Sequence, residues 1–243
     1  DSSTWLTASA AGPGNGYTTD ASTELSNLDI PSAPPPGPLA PGPPPNGGAL
    51  AGMQVVSAFS IFFNTWGMLN TFGVFQTYYE SGALFRGESS STISWIGCVQ
   101  AFLVLSTGLF SGPIYDRGYL RHLLVVGSFL VVFGFFMLSV SRTFWQVLLA
   151  QGFSVGIGAG LLFVPTLAVL PAYFSTRLGL VVGVSAAGSS LGGVVYPIMF
   201  YNLLESVGFG WATRIMAFSA LATLAIPVVF LKMRVRPAKP RDI

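Results

Sequence analysis

Charge is what this chain lacks. Only 8% of its 243 residues are Asp, Glu, Lys or Arg, where an ordinary soluble domain carries about 25%. A water-soluble globule of this length needs a charged surface, so a soluble enzyme is excluded. A nucleic-acid binder needs a dominant basic surface, and a net charge of +2 steers nothing, so nucleic acid is excluded as a partner. The one cysteine, Cys98, rules out a disulfide framework and a multi-cysteine metal centre. It reads as a small core residue. No metal site and no cofactor are expected. In place of charge stands apolar surface: 51% of residues are hydrophobic and the mean hydropathy is +0.65. The lipid bilayer is the solvent that such a composition requires.

The few charges show the layout. An ionised group at the bilayer centre costs several kcal/mol, so membrane spans appear as long gaps between charges. Six gaps are bracketed here: Asp29 to Glu80, Glu88 to Asp116, Arg121 to Arg142, Arg142 to Arg177, Arg177 to Glu205 and Arg214 to Lys232. A helix needs about 20 residues to cross a ~30 Å core. The gaps predict an all-α membrane protein with six transmembrane helices, near 50–75, 92–114, 122–141, 144–172, 178–204 and 211–231. Pro165, Pro171 and Pro197 predict kinks in the fourth and fifth. Arg117, Arg121, Arg177, Lys232, Arg234, Arg236, Lys239 and Arg241 fall on one side, against Arg86, Arg142 and Arg214 on the other. The richer side is expected to be cytoplasmic. An even number of spans then puts both termini there.

Residues 1–46 are rich in Ser, Thr, Gly and Pro, with nine prolines between Pro31 and Pro45. They read as a disordered cytoplasmic tail with polyproline-II character. The membrane domain is expected over 47–231, and 232–243 as the start of a basic cytoplasmic linker.

Three kinds of residue inside the spans bear on function. Small residues at every fourth position let helix backbones approach closely. Gly152, Gly156 and Gly160 in the fourth span and Gly188 and Gly192 in the fifth, together with Gly179 and Gly183, have that spacing. Neutral polar side chains in hydrocarbon need an internal partner or water. Asn70 of the first span, Gln151 of the fourth and Tyr196 of the fifth are the candidates for lining a solute cavity. Asn64 and Asn70 lie six positions apart, about 600° around the helix, so they point to opposite sides. Asn70, deeper in its span, is the one expected to face the cavity. Gly152-Phe-Ser154-Val-Gly156 fits the nucleophile-elbow pattern. That pattern needs a strand-to-helix turn and a histidine partner. Here it lies within an apolar helix, far from His122, so hydrolase chemistry is not expected.

The loop after the second span reads Gly112-Pro-Ile-Tyr-Asp116-Arg117-Gly118-Tyr-Leu-Arg121. This order resembles the cytoplasmic loop signature of the major facilitator superfamily. NTWGMLNTFGVFQTYYE (64–80), STISWIGCVQAFL (91–103), LAQGFSVGIGAGLLFVP (149–165), AYFSTRLGL (172–180), GSSLGGVVYPIMF (188–200) and GFGWATR (208–214) are similar to its fungal monocarboxylate-transporter-like branch. The resemblance runs from about Asn46 to Arg234. It implies one half of a twelve-helix carrier, built as two inverted three-helix repeats, with a second six-helix half as partner. It also implies a small organic solute such as a monocarboxylate, possible proton coupling, alternating access and the plasma membrane. Gly112, Asp116, Arg117, Gly118 and Arg121 would form a cytoplasmic gate held by charge pairs. The family commonly has an acidic residue before the two glycines that open its first helix; here Asn46 stands there. The alternative is a non-transporting membrane subunit with a binding or structural role.

Overall fold

The computed structural model describes residues 42, 44–85 and 87–234. Most of the proline-rich tail and of the basic linker therefore lies outside the described residues. The elements among the described residues are helical: α1 (Ala49–Asn70), α2 (Phe72–Glu80), α3 (Ser90–Asp116), α4 (Leu120–Val140), α5 (Phe144–Val147), a π-helical segment Leu148–Val155, α6 (Gly156–Tyr173) and α7 (Leu178–Phe230). α1 and α2 step only at Thr71 and form one apolar rod. α5, the π segment and α6 form another. Among the described residues, five such helices are long and apolar enough to cross a membrane.

α7 has 53 residues. Unbroken, it would be about 80 Å long, far more than a ~30 Å hydrocarbon core. It is broken at Gly208, whose φ of 77° and ψ of 170° are non-helical. Glycine adopts this positive φ without a Cβ penalty. The break falls between the fifth and sixth spans expected from the charge gaps, and Pro197 and Pro227 both lie inside the helical arms. Contacts with α1 and α2 give the direction of each arm. In the first arm, Gly188 lies against Phe59, Gly192 against Phe63 and Phe200 against Phe75, so this arm runs parallel to α1. In the second, Phe209 stacks on Tyr78, Thr223 meets Asn64, and the Phe230 carbonyl accepts from Gln54 Nε2 at 3.1 Å. The second arm therefore returns antiparallel along the same rod.

The remaining contacts close the bundle. α3 lies on α6 through Gly156 and Gly160, and α4 crosses the π segment and α6 through Gly134 and Gly127. Phe75 sits among Tyr79, Phe135 and Phe200, with ring centroids 4.2–6.5 Å apart. Cys98 does not belong to this core: it is exposed. It shares an outward stripe of α3 with Trp95, Phe102, Leu105 and Leu109, also exposed. In lipid an apolar stripe can face outward as readily as inward.

At the end of the bundle where α1 begins, the chain is tied down just before α1. Asn46 has φ 51°, a left-handed conformation that Asn tolerates. Its Oδ1 accepts from the Ser175 amide at 2.7 Å, the Ser175 hydroxyl at 3.1 Å and the Thr176 amide at 3.1 Å. Asn46 is thus part of the folded domain rather than the last residue of a disordered tail. A carboxylate could accept the same three bonds. Asn46→Asp is expected to keep the thermal unfolding temperature, whereas Asn46→Ala should cost about 1–2 kcal/mol through lost bonds and backbone strain. Equal melting of the two variants in detergent would remove this role.

Candidate functional site

The first span carries two opposed polar faces. Asn64 points into the bundle and is fully buried. Its Nδ2 donates to the Ser60 carbonyl at 2.7 Å and to Thr223 Oγ1 at 2.8 Å, and its Oδ1 accepts from the Tyr196 hydroxyl at 2.7 Å. This network joins α1 to both arms of α7. Tyr196 is therefore held in the packed interior by its hydroxyl, with its ring 5.0 Å from Phe63. It is not on the open face of the bundle.

The open face lies across α1, between α6 and the first arm of α7. Asn70 is exposed there, and Gly193 keeps the first arm clear of it: a Cβ at Gly193 would fall 3.3 Å from Asn70 Cβ. One turn earlier stands Trp66. Its ring meets Phe163 of α6 edge-on at 5.3 Å, and Phe62 meets the same ring at 5.4 Å. Trp66 Nε1 is buried and has no hydrogen-bond partner among the described residues. A buried donor without an acceptor costs about 1–3 kcal/mol. An acceptor atom arriving from outside would relieve that cost. Trp66 is readable from the residue order as a polar group within the first span, but its lack of a partner is not, because an indole's satisfaction depends on what the neighbouring helix offers.

Gln151 lies in the π segment, 1% exposed. Its Oε1 accepts from the buried Tyr79 hydroxyl at 2.7 Å, which ties α2 to the π segment. π turns are rare and often sit at functional places. Ser154, three residues on, donates to the Leu130 carbonyl at 2.8 Å. Its hydroxyl is engaged in helix packing.

The glycines differ sharply in what surrounds them. A Cβ at Gly160 would sit 2.7 Å from the Val104 carbonyl oxygen, and one at Gly156 3.0 Å from that of Gln100. At Gly188 and Gly192 it would press on the backbone carbonyls of Phe59 and Phe63. At Gly152 the first obstacle is the Leu148 side chain at 3.2 Å, which can yield. Gly179 and Gly183 have the same spacing, but nothing lies within 4 Å of either Cβ position.

In the loop, Asp116 ends α3, and Gly118 turns the chain with φ 91°. Gly112 is inside α3, close to Val164 of α6. Asp116, Arg117 and Arg121 are all exposed. Among the described residues none of the three forms an ion pair. At the opposite end of the bundle, Arg214 reaches Ser139 Oγ at 3.2 Å and lies over the Trp211 ring at 5.0 Å. No group of three His, Cys, Asp or Glu that could hold a metal occurs among the described residues.

Comparison with known proteins adds the family. Residues 49–243 match the sequence profile of the Major Facilitator Superfamily. The chain is 59% identical over 198 residues to the MFS-type transporter dbaD of Emericella nidulans, covering 82% of this chain and 44% of the relative. It is 54% identical to the MFS-type transporter eupM of a Phoma species, covering 80% of this chain and 68% of the relative. It is 39% identical to the Aspyridones efflux protein apdF of Emericella nidulans, covering 82% and 41%. The crystal structure of a POT family transporter in complex with 5-aminolevulinic acid superposes with a TM-score of 0.64 at 19% identity, over 77% of this chain and 40% of that one. That likeness concerns the fold. The chain spans less than half of dbaD and apdF, and about two thirds of eupM.

Proposed function

We propose that this chain, which belongs to the major facilitator superfamily, forms one six-span half of a carrier that moves small organic solutes by alternating access. The break at Gly208 supports counting the two arms of α7 as separate spans, which makes six. On this reading α1–α4 and α5–α7 form two inverted three-helix repeats around a pseudo-twofold axis in the membrane plane. The loop of Arg117 and Arg121 and both chain ends then face the cytoplasm, in the plasma membrane.

The observation that carries the proposal is the unpartnered Trp66 indole, one turn from exposed Asn70, on the open face of the bundle. Together they offer a solute a buried donor, a mixed donor-acceptor amide and an aromatic wall formed with Phe163. A small monocarboxylate has the acceptor oxygens and the apolar body that such a wall suits. Gln151 and Tyr196 support the cavity from behind, through their bonds to Tyr79 and Asn64. A second six-helix half would cover the open face. The cluster around Asp116 serves as a gate whose charge pairs form with that half.

The test is uptake of labelled monocarboxylates into proteoliposomes containing the complete protein, with and without a pH gradient. Trp66→Phe keeps the aromatic packing and removes the donor. It is expected to raise KM about 3–10-fold, the worth of one neutral hydrogen bond, with the melting temperature equal to or above the parent's because the unpaired donor goes as well. Asn70→Leu should act the same way. Unaltered transport in both would refute the proposed site. A stop codon directly after Ile243 would favour the non-transporting subunit.

A further inference from the structure

A second hollow lies at the end of the bundle that carries the basic loop. Arg117, Leu120 and Arg121 form one wall, and Val228, Val229 and Lys232 at the close of α7 form the other, around a cavity of about 610 Å³. Three cationic side chains line it and no acidic one does. None of the three forms an ion pair among the described residues. Like charges gathered in one hollow repel one another, and an anion placed among them reverses the sign of that interaction. α4 begins beside them at Leu120 with no side-chain cap, so its positive dipole end adds to the same field.

The hollow opens into an apolar furrow. On α4, Arg121 is followed at successive four-residue steps by Val125 and Phe129, which are 48% and 62% exposed. On the second arm of α7, Val229 leads back to exposed Leu221 and Phe218 on the same side. The edge-on contact of Phe136 with Phe218 at 5.2 Å makes these two helices neighbours. A cationic hollow continued by a furrow along the membrane-spanning part of the helices has the shape of one kind of ligand. A soluble anion would fill the hollow and leave the furrow bare. A phospholipid would fill both.

The geometry points to a binding site for an anionic glycerophospholipid, with its phosphate among Arg117, Arg121 and Lys232 and one acyl chain along α4 and α7. Basic pockets between spans on the cytoplasmic side suit such headgroups. The sequence continues with Arg234, Arg236, Lys239 and Arg241, which would draw the same leaflet close. The site rests on the proposed function only for the orientation that places it in the cytoplasmic leaflet, and transport is not its readout.

The test is a titration of the purified full chain in detergent with fluorescent phosphatidylserine, phosphatidylcholine and inorganic phosphate. Phosphatidylserine is expected to bind at least about tenfold more tightly than phosphatidylcholine, and the triple variant R117Q/R121Q/K232Q to weaken it about a hundredfold. R117K/R121K should retain binding. If the triple variant does not fold, single R121Q and K232Q variants are each expected to weaken binding about fivefold. Equal binding of the two lipids, or binding unmoved by these variants, would overturn the site. Displacement of the lipid by inorganic phosphate at equal phosphate concentration would overturn the lipid assignment in favour of a small-anion site.

Discussion

Gly192→Val is expected to lower the melting temperature of the detergent-solubilised chain by about 6–12 °C, or to prevent a monodisperse preparation altogether. The reason is what the new side chain would meet. A Cβ at Gly192 would press on the Phe63 carbonyl and lie 2.9 Å from Gly67 Cα. Both are backbone in a neighbouring helix, and neither can rotate away. Gly67 in turn approaches Gly192 Cα at 2.7 Å from its own Cβ position. The contact is glycine on glycine, so relief requires α1 and the first arm of α7 to separate. Overpacking typically costs about 1–3 kcal/mol, and the upper end applies where nothing can give. For a chain of this size about 3 kcal/mol corresponds to the stated shift. Gly183→Ala is the control. It has nothing within 4 Å, and alanine is the better helix former by about 1 kcal/mol. It should melt at or above the parent temperature. If the two variants melt alike, α1 and α7 do not meet as described.

Asn64→Ala is expected to destabilise the chain by about 2–3 kcal/mol, read as a lower melting temperature and faster amide exchange in α1 and in both arms of α7. The substitution removes the acceptor of the Tyr196 hydroxyl, which is fully buried and donates to Asn64 at 2.7 Å, and leaves only the Ser219 and Thr223 hydroxyls near it. It also removes the acceptor that Thr223 shares at 3.2 Å. A buried hydroxyl left poorly satisfied costs about 1–3 kcal/mol, although single hydrogen bonds between membrane helices average only about 0.6. The double variant Asn64→Ala/Tyr196→Phe removes both partners and should recover part of the loss. An additive double variant would show that the two side chains are not coupled.

The spans were legible because desolvating a charge is so costly that evolution leaves gaps wherever lipid lies. The same economy hid the facing of each span. The polar residues of α3 do not gather on one stripe, so nothing in its composition separates Cys98, on an exposed stripe, from buried Ile96 two positions before it. The opposed directions of Asn64 and Asn70 followed from helical geometry alone. Which of them meets Tyr196 did not, because that depends on two other helices. The π segment left no trace in the sequence, since the choice between hydrogen bonding four or five residues back changes no residue type. The corner at Gly208 lay between Glu205 and Arg214, where the charges marked a turn. Its reduction to one non-helical residue was not readable. Close packing at Gly156, Gly160, Gly188 and Gly192 was signalled by spacing. The same spacing at Gly179 and Gly183 is empty, because spacing sets a face and not what lies opposite.

α1 is flanked on one side by a helix running with it and on the other by one running against it. Gln54 fastens its first turns to Phe230 and Lys232, Asn64 fastens its middle, and the glycine seam locks it sideways. Any lengthwise slip of α1 would break all three attachments at once, in opposite senses on its two flanks. The bundle is therefore splinted: it can tilt only as one piece, and whatever flexing its work demands must be absorbed at its borders.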